Sequence, residues 1–208
     1  MVLHGAVFMP MRWRVALLVS AAIAISYLDR QALPVAVKAI EADIPLTNTQ
    51  FGGLTSSFLL AYALMYAGGG VVVDRLGTRR GLLTIMIFWS LACASHSLAG
   101  GIGWLVVSRF LLGIGEGGGF PAATKAIAEW FPVAERSTAM GLVNAGTAVG
   151  AVIAPPAIAA ILLHASWRWV FVACGAAFCG RRGGRSRSRR LTALSPRPPG
   201  LACGGRAC

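Results

Sequence analysis

Charge is what this sequence has least of. Only 12% of its 208 residues are Asp, Glu, Lys or Arg, against 56% hydrophobic, and the mean hydropathy is +0.69. One soluble core of this size cannot hide so much apolar surface, so the composition excludes an ordinary water-soluble domain. Histidine is also scarce, and the five cysteines show no Cys/His ligand spacing, which excludes a structural zinc site. Cys93, Cys174 and Cys179 lie in apolar stretches and Cys203 and Cys208 near the C-terminal end, a distribution that suggests no disulfide framework. No HExxH, GxSxG or Walker A string occurs, so no enzymatic centre is visible and the chain reads as a non-enzyme. A cleavable signal peptide is not expected either. The first apolar stretch is longer than a signal core and contains Asp29 and Arg30.

What the chain does have is long apolar runs. A helix crosses the hydrocarbon core with about 20 apolar residues, because each residue rises about 1.5 Å and the core is about 30 Å thick. Six segments approach that requirement: Val15 to Val37, Phe51 to Val73, Leu82 to Ala99, Trp104 to Ala128, Thr138 to Leu163, and Trp167 to Cys179. The first five read as full spans and the sixth as incomplete. Thr47 with Gln50 forms a capping box at the start of the second, and Gly100, Gly101 and Gly103 make a tight turn between the third and fourth. The expectation is an all-α integral membrane protein built from helical hairpins, with the lipid bilayer as its solvent.

The formal charge of +12 suggests a nucleic-acid binder until its distribution is seen. Eight of the 19 Lys/Arg are arginines between Arg181 and Arg206, in a stretch with no acidic residue. Among the loops before it, Arg12, Arg14, Arg75, Arg79, Arg80 and Arg136 fall on one side and Lys38 and Arg168 on the other. That bias predicts a cytoplasmic N-terminus. Residues 1–14 are then a cytoplasmic leader, 15–179 a helical bundle, and 180–208 a tail of Arg, Gly, Pro and Ser without an apolar face, expected to be disordered. The tail could be an RNA- or lipid-binding arm, or the translation of a shifted reading frame in a GC-rich gene. The second reading is preferred, because the composition switches in mid-helix, so no nucleic-acid partner is expected.

Ionisable residues within spans are the strongest functional pointers, since each costs about 2.5 to 3.5 kcal/mol at a helix centre. Asp29 and Arg30 lie deep in segment one, and Arg109, Glu116 and Lys125 lie along segment four. Arg109 and Glu116 are two helical turns apart on one face. A structural ion pair between helices is the plain reading of such groups. Tyr27, one turn before Arg30, and Tyr62 and Tyr66 on one face of segment two add hydroxyl-bearing rings. Together they outline a pocket for a polar anion, whose carboxylate the planar guanidinium fork would hold. Segment four also contains Gly113, Ile114, Gly115, Glu116, Gly117 and Gly118, a dinucleotide-like GxGxxG string. No strand precedes it, so the glycines read as a close helix contact instead.

Two stretches resemble a known family. The loop Gly70-Val-Val-Val-Asp74-Arg75-Leu-Gly77-Thr-Arg79-Arg80 resembles the signature loop of the major facilitator superfamily, and Arg109-Phe-Leu-Leu-Gly113-Ile-Gly115 its fourth-helix motif. Within that superfamily, SYLDR at 26–30, the run from Lys125 through AEWFPVAERS to Asn144, and IAPP at 153–156 resemble the anion:cation symporters, nearest the hexuronate and sugar-acid transporters.

The resemblance implies the N-terminal six-helix bundle of a proton-coupled symporter in the bacterial inner (plasma) membrane, driven by the proton gradient with no cofactor. It implies that Arg30 binds the substrate carboxylate and that Tyr27 and Tyr62 line the sugar site, with Lys125, Asn144 and Thr147 as further contacts. Asp29 and Glu116 would couple protons, with Arg109 orienting or balancing Glu116. Asp74, Arg75, Gly77, Arg79, Arg80, Glu135 and Arg136 would form the cytoplasmic gate. Such transporters have a second six-helix half, which the chain lacks and which transport would require. The alternative is a membrane fragment without activity of its own.

Overall fold

The computed structural model describes residues 10–179 and is helical throughout, with α1 Met11–Asp43, α2 Asn48–Leu76, α3 Thr78–Ser95, α4 Ile102–Gly117, α5 Gly119–Trp130, α6 Arg136–His164 and α7 Trp167–Cys179. Short 3₁₀ turns follow α3 and precede α6. The expectations for the first nine residues and for the tail lie outside the described residues. Four elements are each long and apolar enough to cross a membrane: α1, α2, α3 with its 3₁₀ turn, and α6 with its own.

Local chemistry sets the boundaries. The capping box at the start of α2 is present: Gln50 N–H donates to Thr47 Oγ1 at 3.3 Å and Thr47 N–H to Gln50 Oε1 at 2.9 Å. At the other end of α2, Gly77 sits at φ 76°, a conformation that side-chain-bearing residues avoid, and lets α3 start one residue later. Proline supplies weak points. Pro34 in α1 cannot donate to the carbonyl of Arg30, and Pro155 and Pro156 interrupt α6 in the same way.

The fourth apolar segment requires a correction, because it is two helices meeting at Gly118. Neither α4 nor α5 is by itself among the four long spans. The cause lies in Gly117, Gly118 and Gly119 followed by Pro121, whose missing N–H cannot serve the Gly117 carbonyl. The helices of the first, second and fifth segments (α1, α2 and α6) also run past their expected limits, since polar turns such as Arg136–Thr138 extend the helix beyond the apolar stretch.

Packing is dominated by small residues. A Cβ on Gly113 would strike the Phe58 carbonyl, one on Gly117 would lie 2.5 Å from the Tyr62 carbonyl, and one on Gly115 2.6 Å from Trp89 Cβ. The α4 glycines therefore seat it against α2 on one side and α3 on the other, as the sequence suggested. On α6, Gly146 and Gly150 ride on the Ser20 and Ala24 carbonyls of α1. Large apolar side chains such as Leu59, Leu60, Leu64, Leu91, Val152 and Leu163 point outward, the arrangement expected where the surroundings are lipid.

The two ends differ in charge. At one end Arg12 pairs with Glu135 at 3.0 Å, Lys125 with Asp74 at 2.6 Å, and Thr78 Oγ1 donates to Glu129 at 2.6 Å. At the other, Arg168 and Trp167 Nε1 both bind Asp43 Oδ2, at 2.7 and 3.0 Å, and Arg168 also reaches the Ala99 carbonyl. The loop-charge bias read from the sequence is thus a real asymmetry between the ends of one bundle.

Candidate functional site

Midway between those ends, α1, α2 and α4 meet around a cluster of charges. SYLDR places Ser26, Asp29 and Arg30 within four residues, so Ser26 and Arg30 share a face while Asp29 points away from it. Glu116 enters from α4 with its side chain fully enclosed. Its Oε2 accepts from Arg30 Nε at 2.7 Å and from Ser26 Oγ at 2.9 Å. Arg30 keeps 24% of its side chain exposed, which makes it the wet member of a pair whose other member is dry.

Aromatic rings surround the guanidinium. Arg30 Cζ lies 4.5 Å from the Tyr62 ring centroid, 4.9 Å from Tyr27 and 5.6 Å from Phe58. Each face can contribute about 0.5 to 2 kcal/mol where water is excluded. Phe58, Tyr62 and Tyr66 form a ladder with successive centroids 6.0 and 5.9 Å apart, the consequence of spacing four on one helix. Only Arg30, Tyr27 and Tyr62 of the expected binding residues converge. Tyr66 ends the ladder and is half-exposed.

Arg109 is buried beside the cluster and makes no direct bond to Glu116, so the balancing expected of it would act through space. Two turns of helix separate them by about 10 Å along the axis, and the near guanidinium comes from α1 instead. Arg109 Cζ stands 5.9 Å from the Phe58 ring, and its Nε and Nη2 have no hydrogen-bond partner among the described residues. Asp29, wholly buried, takes one weak bond from Cys93 Sγ at 3.5 Å, and its Oδ2 has no described partner.

Lys125 is also displaced from its expected place. It binds Asp74 and the Val73 carbonyl at the charged end, because α5 carries it past the break at Gly118 to the loop. It therefore joins the residues expected in the gate. There Arg136 caps the end of α5 through the Ala128 and Phe131 carbonyls, Glu135 holds Arg12, and Arg75, Arg79 and Arg80 are exposed. Thr147 spends its hydroxyl on the Asn144 carbonyl of its own helix, and Asn144 is exposed, so neither contacts the Arg30 group.

Ser26, Phe58 and Cys93 carry contacts that the sequence reading did not assign. Ser26 stands four residues before Arg30 and Phe58 four before Tyr62, and that spacing could have found both.

The profile of the Major Facilitator Superfamily matches residues 19–179. A probable sulfoacetate transporter of Cupriavidus necator is 40% identical over 156 residues, 75% of this chain and 36% of that protein. The hexuronate transporter of Escherichia coli K12 is 35% identical over 167 residues, 80% of this chain and 38% of its own length, and the galacturonate transporter of Dickeya chrysanthemi 34% identical over 166. The chain thus spans little more than a third of the first two. Among solved structures, a bacterial homolog of the human lysosomal transporter Spinster, inward-facing and occupied, superposes with a TM-score of 0.72 at 26% identity, over 92% of this chain and 45% of that one.

Proposed function

Since this chain belongs to the Major Facilitator Superfamily, we propose that it forms the N-terminal bundle of a proton-coupled symporter of sugar-acid anions, hexuronates foremost. The observation that carries the reading is the Arg30 guanidinium, held between Tyr27, Phe58 and Tyr62 and joined to Glu116 at 2.7 Å. Relatives named for hexuronate, galacturonate and sulfoacetate support an acidic substrate.

The mechanism follows from competition. Arg30 Nε meets one carboxylate oxygen, and a substrate carboxylate needs the same fork. While Glu116 is ionised, it occupies Arg30. Once Glu116 takes a proton, its claim falls to that of a neutral acceptor, and an incoming anion replaces it. Proton and anion then travel together, because releasing one restores the partner that excludes the other. Asp29, enclosed behind Arg30, is the second proton-carrying group, and Tyr27 and Tyr62 offer hydroxyls to the sugar. Asp74, Lys125, Glu129, Glu135 and Arg136 form the gate at the charged end, which faces the cytoplasm of a bacterial inner membrane. The transporting unit includes a second six-helix half that closes the other wall of the pocket.

Proteoliposome uptake of radiolabelled galacturonate tests this, with the chain alone and joined to the C-terminal half of the Escherichia coli hexuronate transporter. An imposed pH gradient should drive accumulation only in the joined form. Glu116→Gln should abolish that accumulation and leave counterflow intact. Accumulation that persists in Glu116→Gln would sink the coupling role.

A further inference from the structure

Two thiols that this transport reading leaves unused sit against one of its carboxyls. Cys93 on α3 is fully buried, with Asp29 Oδ1 3.5 Å and the Phe171 carbonyl 3.8 Å from its sulfur. Cys174, half-buried on α7, lies against both Cys93 and Asp29. The backbones of α3 and α7 nearly touch here. A Cβ placed on Gly175 would stand 2.7 Å from the Ser90 carbonyl and 3.0 Å from Ala94 Cβ.

That closeness gives the pair its chemistry. A disulfide needs Cα atoms about 4.4 to 6.8 Å apart, whereas ordinary helix axes lie about 8 to 10 Å apart. Cys93 falls between Ser90 and Ala94, and Cys174 directly precedes Gly175. The glycine contact therefore draws the two cysteine backbones together at the one level where both sulfurs meet Asp29.

We propose that Cys93 and Cys174 form an oxidisable dithiol that closes to an intrachain disulfide, pins α7 to α3 and strips Asp29 of its thiol donor. The oxidant is a membrane-permeant two-electron acceptor, for instance a diazenedicarboxamide. Cys174, the half-buried thiol, loses its proton to the azo group as its sulfur adds to one azo nitrogen. The Cys93 sulfur then attacks Cys174, forming the S–S bond and breaking the S–N bond, and its proton passes to the departing hydrazine nitrogen. The hydrazine leaves with both protons and both electrons, so two thiols are oxidised as one azo group is reduced. Asp29 Oδ2 has no described partner already, and the disulfide removes the only donor to Oδ1 among the described residues. The consequence for transport rests on the proton-carrying role given to Asp29 above, whereas the bond-forming step does not.

The test uses the full chain in lipid nanodiscs with Cys179, Cys203 and Cys208 replaced by Ser. After treatment with the diazenedicarboxamide, the protein is unfolded and titrated with a maleimide, and its intact mass is measured. Both remaining thiols should lose their labelling on a single chain, with a mass lower by two hydrogens, and dithiothreitol should restore them. Cys174→Ser in the same background should leave Cys93 labelled after oxidation. Peptide mapping of the oxidised unsubstituted chain should yield a Cys93–Cys174 linked pair, which covers the case of a substituted chain that fails to fold. Full labelling after oxidation, or a bond joining two chains, overturns the proposal. Neither result bears on Glu116→Gln uptake, so the two readings fail separately.

Discussion

The pair Arg30–Glu116 and the pair Arg12–Glu135 are alike in chemistry and nearly alike in length, 2.7 against 3.0 Å, but they differ in surroundings. Glu116 exposes none of its side chain and its partner 24%, whereas Arg12 and Glu135 expose 38% and 35%. In the first pair, losing a partner strands a charge where few dipoles can answer it. In the second, water takes the vacant place. Ion pairs at the ends of the bundle thus register one helix against another at little energetic stake, while the pair at its middle can be rearranged only if something else supplies a proton or a charge. The anion exchange proposed for this site needs that second property.

The largest effect expected from this contrast is at the middle. Arg30→Gln or Glu116→Gln should each destabilise the folded chain by about 3 kcal/mol, the low end of the range for breaking a buried pair, because Arg30 is partly wet. The double variant should recover part of the loss, giving a coupling of about 1 to 3 kcal/mol. Equilibrium unfolding in mixed micelles measures all three. If the single variants cost no more than Arg12→Gln, the distinction between middle and ends is void.

Much of this contrast could be read from the residues. The rarity of charge in the apolar runs singled out Asp29, Arg30, Arg109 and Glu116, and all four are in the structure at mid-bundle. Loop charges sorted the two ends, and Thr47 with Gln50 marked the start of α2. Partnership was harder to see. Arg109 and Glu116 share a helix face, yet the guanidinium that reaches Glu116 comes from α1, and no spacing rule ranks a neighbour on another helix above one two turns away. Lys125 reads as part of the same span as Glu116, but the glycines and Pro121 break that span and carry it to Asp74 at the charged end. Cys93 and Cys174 suggested no disulfide from their spacing, because which buried thiols lie on facing helices is set by packing and not by spacing.

A middle-sized effect should separate the tightly packed interior from the outer turns of one helix. Gly146 and Gly141 both lie in α6, and both could gain a methyl group. At Gly146 it would strike the Ser20 carbonyl, and at Gly141 nothing lies within 4 Å. Gly146→Ala should therefore destabilise by about 1 to 3 kcal/mol through overpacking. Gly141→Ala should stabilise by up to about 1 kcal/mol through helix propensity. Thermal unfolding of the two variants side by side decides it, and effects of the same sign would remove the close approach of α6 to α1 as the reason for glycine there.

The smallest effect belongs to the end pair, and its salt dependence is the sharper observable. Arg12→Gln should cost about 1 kcal/mol, as partly exposed pairs do, and the double variant with Glu135→Gln should show a coupling under about 1 kcal/mol. Ionic strength should distinguish the two regions further. Raising salt from 0.01 to 1 M shortens the screening length from about 30 to about 3 Å, which should erase what coupling Arg12–Glu135 has. The coupling of Arg30 with Glu116 should change little, because no ion can enter beside a carboxylate with no exposed surface. A mid-bundle coupling that falls with salt in step with the end pair would mean that water and ions reach Glu116 freely, and the competition for Arg30 would then lack the dry partner on which it depends.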